Sequence, residues 1–167
     1  MTYYVLFVMH LSTRFVHIAG ITTAPNAAFM KQVARNLTDI SDGFLANHEF
    51  LIMDRDTKFT IDFKAHLKPE GVVPVLCPAR APNCNVFAER FVRSIKGECL
   101  DRMILFGERS LRRAVNEYIA HYKIERNHQG FGNRLLDKTN VVGLPDEPIQ
   151  HRERLGGMLN FYFFEAA

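Results

Sequence analysis

At 167 residues, with 47% hydrophobic and 23% charged side chains, the chain has ordinary globular composition and enough length for one buried core. A net charge of +3 permits a polyanionic partner without requiring one. No basic-then-apolar leader opens the chain, and no apolar run reaches the roughly 18 residues that span a bilayer. The expectation is therefore a soluble, cytoplasmic protein with no membrane partner.

Taken in order, Tyr3 to Met9 is a near-continuous apolar run, which predicts a strand buried on both faces. Leu11-Ser12-Thr13 turns the chain, and Arg14 to Ile21 predicts a second strand, closing a hairpin. Pro25-Asn26 starts a helix with Asn26 as N-cap; Met30, Val33, Ala34, Leu37 and Phe44 share its stripe, and Gly43 marks its end. Phe50-Leu51-Ile52-Met53 is a strand. Thr60 caps a short helix through Phe63, Ala65 and Leu67, which Pro69 and Gly71 stop. Val72 to Leu76 is another strand, and Pro74 places it at an edge or a strand end.

A Pro- and Asn-containing loop, Pro78 to Asn85, feeds a helix from about Cys84 to Arg102. A further helix follows Ser110, with Leu111, Ala114, Val115, Tyr118, Ile119 and Tyr122 at helical spacing. The tail from about Asn127 is rich in Gly, Asn and charge. It ends in the apolar run Leu159 to Phe164, and Arg152-Glu153-Arg154 reads as a solvated face. This order predicts an α/β domain with a mixed sheet flanked by helices. The core spans 1–126, followed by a C-terminal extension, 127–167.

The cysteines Cys77, Cys84 and Cys99 are separated by 7 and 15 positions, which matches no zinc-ligand spacing. Their odd count argues against a disulfide framework. All three read as small buried hydrophobes in a reducing compartment. The seven histidines show no metal spacing. No nucleotide-binding glycine motif is present, and no Ser-His-Asp order is defensible.

The informative pair is Asp54 and Glu89, 35 positions apart. Asp54 follows the strand Phe50–Met53 directly, at the end where sheets of this kind place their chemistry. Glu89 lies early in the next long helix. At about 100° per residue, Asn85, Glu89, Arg93 and Lys96 fall within about 80° of one another. Ala88, Phe91, Val92, Ile95 and Cys99 form the neighbouring apolar stripe. Two carboxylates from separate elements can hold Mg²⁺ or Mn²⁺, and the two cations can reach phosphates. Each residue also has a plain alternative. Glu89 and Arg93 could be an i,i+4 ion pair. Asp54-Arg55-Asp56 could be a polar turn, with Asp56 the rival ligand.

The string Leu51-Ile52-Met53-Asp54-Arg55-Asp56-Thr57-Lys58-Phe59-Thr60 resembles the second catalytic aspartate region of the retroviral-integrase-like transposases. Pro78 to Phe91 resembles their glutamate region, at the family's usual separation. Tyr122-Lys123-Ile124-Glu125-Arg126-Asn127-His128 resembles a segment common after the catalytic core of bacterial insertion-sequence transposases. The resemblance implies an RNase H-like fold and metal-dependent strand transfer on DNA. It implies Asp54 and Glu89 as catalytic metal ligands and Lys96 as a DNA contact, beside which Arg93 and Asn85 are candidates.

The family's first aspartate has no counterpart in the hairpin. The pattern of apolar run, His10, turn and apolar run aligns with the family's second and third strands. The first strand and its aspartate are then expected upstream of Met1. A rival alignment makes His10 the replaced residue. The expected consequences are impaired catalysis and an open sheet edge that favours a homodimer or higher oligomer. The alternative is a non-catalytic DNA-binding or dimerisation module.

Overall fold

The computed structural model describes residues 1–79, 82–137 and 148–164. Arg80 and Ala81 of the glutamate-region string lie outside them. The chain forms two compact units, Met1–Val8 with His17–Glu89, and Met9–Val16 with Arg90–Ala167.

In the first unit, β1 (Tyr4–Met9) pairs with β2 (Val16–Thr22). The expected burial of both β1 faces is corrected: no residue of β1 is fully buried, and Tyr4 is exposed. Strand alternation turns Leu6 and Val8 to the core, and their neighbours fall on the other face. Helix α1 (Ala27–Leu37) begins where Asn26 accepts the Phe29 N–H at 2.9 Å. It stops at Leu37, short of Gly43. Thr38 supplies the stop, because both its N–H and its hydroxyl donate to the Ala34 carbonyl. Gly43 belongs to the following turn, where a Cβ would stand 2.5 Å from the Asp39 backbone, so only glycine fits there.

Strand β3 (Phe50–Met53) runs parallel to β4 (Val73–Leu76), joined by α2 (Ile61–Leu67). Thr60 caps α2 by accepting the Phe63 N–H at 3.2 Å. Gly71, at φ 79°, ends the short turn after it. Met30, Leu37, Met53, Phe63, Leu67 and Val72 form the centre of the core. Phe50 pairs with Val73 and Ile52 with Val75, and these four side chains point away from it and are exposed. The α/β expectation holds. Among the described residues, β1–β2 and β3–β4 are separate two-stranded ladders, though both pack on the same α1–α2 core.

The helix expected from Cys84 to Arg102 is three pieces: a 3₁₀ turn Pro82–Asn85, α3 (Val86–Glu98), and a 3₁₀ turn Leu100–Arg102. The backbone leaves helical geometry at Cys99, and the Arg102 guanidinium donates to the Gly97 carbonyl at 2.8 Å.

In the second unit, α4 (Gly107–Ile124) buries Leu111, Ala114, Val115, Tyr118 and Tyr122. Within the tail, β5 (Ile149–Arg154) and β6 (Leu159–Phe164) form an antiparallel hairpin with Arg154 opposite Leu159. It packs on α4.

Candidate active site

Met53 is buried, so strand alternation turns the next side chain, Asp54, outward, and it is exposed. One of its oxygens accepts the Asp56 N–H at 3.1 Å, so the polar turn forms. Asp56 is committed differently. Its carboxylate takes the Lys58 N–H at 3.0 Å and the Lys58 ammonium. Those hydrogen bonds from Lys58 hold the Asp56 carboxyl below the usual range. Asp54 carries no ion pair among those described.

The strand ends beside Asp54 are pinned. The Cys77 N–H donates to the Met53 carbonyl at 2.9 Å, and Arg55 Nε donates to the Cys77 carbonyl at 2.9 Å. Burial raises the Cys77 thiol, and the Cys84 thiol and the charge of Asp54 raise it further. Cys84 stands in the turn that leads into α3. The reading of all three cysteines as buried is therefore corrected: Cys77 is half-buried and Cys84 exposed. Cys99 alone is buried, and burial pushes its thiol up to about 11.

Glu89 sits exposed in the first turn of α3, where the helix dipole favours a carboxylate. It falls in the same compact unit as Asp54. Asn85 is half-buried at the end of the preceding turn. Farther along α3, in the second unit, Arg93 and Lys96 are exposed. The described ion pairs do not join Glu89 to Arg93. Among the described residues, no group of three His, Cys, Asp or Glu side chains is placed to hold a metal. Hard divalent cations take oxygen ligands of the kind that Asp54 and Glu89 carry. His10 is tied into its own turn, with Nδ1 2.8 Å from the Thr13 hydroxyl and 3.2 Å from that of Ser12.

Residues 70–135 match the family model described as integrase core domain. That likeness supports an integrase or transposase catalytic core over this segment. Integrase cores act on DNA as polynucleotidyl transferases and generally use divalent metals. The comparison with curated proteins found no match. The integrase-core segment includes Asn85, Glu89, Arg93 and Lys96. Among the described residues, no helix is long and apolar enough to cross a membrane.

Within the second unit, the integrase-core segment carries a polar network that the sequence reading missed. Arg126 donates to both oxygens of Glu98, at 2.7 and 2.9 Å, and the Tyr118 hydroxyl donates to the same carboxylate at 3.0 Å. Burial opposes the Glu98 charge, but these bonds outweigh it and lower its carboxyl. Buried Glu125 accepts from Arg154 at 2.7 and 2.8 Å and from Arg152 at 3.2 Å, and His121 lies 3.1 Å away. Arg152 and Glu153 are exposed, as a solvated face requires, and the reading is corrected at Arg154 alone, which is half-buried and anchors the hairpin. The signal was the lone acid in Tyr122–His128, a segment that also holds Tyr122, Lys123, Arg126 and His128.

Proposed function

We propose that this chain is the catalytic-core domain of a DNA integrase or transposase, with residues 1–126 as the core and 127–167 as an extension. The integrase-core match across the segment that holds Glu89 carries this reading. Asp54 and Glu89 are the carboxylates that would hold Mg²⁺ or Mn²⁺. When bound, such an ion supplies charge neutralisation at phosphorus and activation of an attacking oxygen. Arg93 and Lys96 contact DNA phosphates, and Asn85 orients the DNA or the start of the helix.

An RNase H-like sheet fits the parallel β3–α2–β4 crossover and the hairpin packed on the same helices. The two separate ladders fit a sheet into which a further strand, with a third carboxylate, would insert between them. Two carboxylates alone neutralise a metal pair poorly, so strand transfer by this chain is weak. The unpaired strand edges favour self-association as a homodimer or higher oligomer.

The test is a strand-transfer assay with Mn²⁺ that compares the wild-type chain with Glu89→Gln. Weak activity that Glu89→Gln abolishes supports the enzyme. Salt-sensitive DNA binding without strand transfer would make the chain a DNA-binding or dimerisation module.

A further inference from the structure

We propose that the outward face of α4 is a sequence-independent docking surface for the phosphate backbone of duplex DNA. The exposed side chains of α4 are Glu108, Arg109, Arg112, Arg113 and Asn116, and all are polar. At about 100° per residue, Arg109, Arg112, Arg113 and Asn116 fall within about 100° of one another. The buried stripe that runs from Leu111 to Tyr122 lies opposite. The acids of α4 do not cancel this face. Glu117 stands to one side and is held by Arg154 at 2.8 Å, and Glu108 pairs with Arg112 at 2.7 Å. Arg109 and Arg113, one turn apart, carry no ion pair among those described.

Charge complementarity decides the partner. A guanidinium presents a fixed fork of donors that matches a phosphate. Arg109 and Arg113 stand about 6 Å apart along the helix axis, close enough to take neighbouring phosphates of one backbone. Such contacts fix a duplex in place without reading its bases. Local stability does not account for Arg109, which lies in the first turn of α4, where the helix dipole opposes a cation. A lipid surface fits less well. Helices that lie on membranes turn large apolar side chains outward, and the exposed side chains of α4 include none. That the polyanion is DNA rests on the proposed function; the charged face does not.

The experiment follows the fluorescence anisotropy of a labelled DNA duplex of arbitrary sequence as salt is raised. The whole chain is compared with the double variant Arg109→Gln, Arg113→Gln. Each phosphate contact contributes about 0.9 to the slope of log affinity on log salt, so the variant should lose about 1.8 of slope. A rise from about 50 to about 200 mM salt should then cost the wild type about twelvefold more affinity than the variant. Arg109→Lys with Arg113→Lys should keep the slope, because both charges remain. Lys31→Gln with Arg35→Gln removes as much charge from exposed positions on α1 and should leave the slope unchanged. An equal loss of slope in the α1 variant would make net charge the cause and overturn the proposal. So would an unchanged slope in the α4 glutamine variant, or no duplex binding by the wild type. Arginine-dependent binding to phosphatidylglycerol vesicles, with the DNA slope unmoved, would assign the face to lipid instead. Arginine-dependent duplex binding by a chain without strand transfer would sink the enzyme and leave this contact standing. Strand transfer with a slope indifferent to Arg109 and Arg113 would do the reverse.

Discussion

Arg154 closes a two-point contact on Glu125, at 2.7 and 2.8 Å, and the Glu125 side chain has no exposed surface. The same guanidinium reaches Glu117 at 2.8 Å. Replacing Arg154 with Met should cost about 3 kcal/mol, the low end for stripping a partner from a buried charge, because Arg152 and His121 remain. Arg154→Lys should cost less, as it keeps the charge but loses the planar fork. Urea midpoints at unchanged slope would measure both. A Met variant as stable as the wild type would show that the contact contributes nothing net.

Acid should weaken the second unit through Glu98 and Glu125. For each, burial favours the neutral form, but arginine hydrogen bonds outweigh it and lower the folded value below 4.5. A carboxylate depressed on folding gives stability that is present above its unfolded value. That stability disappears as pH falls through the folded one. Melting temperature should therefore drop below about pH 4.5, and Glu98→Gln should shrink the drop. An unchanged acid limb in that variant would count against Glu98 as a contributor.

His128 predicts a second limb nearer neutrality. Burial lowers its value below 6.5, although Nε2 donates to the Tyr122 carbonyl at 2.8 Å, and Arg126 lowers it further. A histidine depressed on folding stabilises the chain above its unfolded value and loses that contribution as pH falls. Stability should decline from about pH 6.5 downward, and His128→Gln should flatten this region. Denaturant melts across that window provide the check.

Asp54 and Asp56 should separate cleanly in metal titrations. Asp56 is spent on Lys58, so Asp56→Asn should bind Mn²⁺ as the wild type does. Asp54→Asn and Glu89→Gln should each abolish a weak, single-site heat, because too few charged oxygens would remain for a hard cation. Two tight sites in the wild type, or binding lost in Asp56→Asn alone, would remove Asp54 from the role.

Local physics wrote much of this chain openly. Asn26 and Thr60 cap their helices because a short side-chain oxygen matches an orphan N–H. The strand ending at Met53 and the stripe on α4 follow from periodicity alone. The integrase-core likeness was legible for the same reason, since Glu89 and its neighbours are contiguous in sequence.

What only the tertiary structure decided involves partners distant along the chain. Glu125 needs Arg154, 29 positions later, before its charge has a buried place, and Arg154 looks as solvated as Arg152 and Glu153 until the hairpin folds onto α4. Burial and pairing are properties of places, and residue order specifies those places only after the backbone has closed.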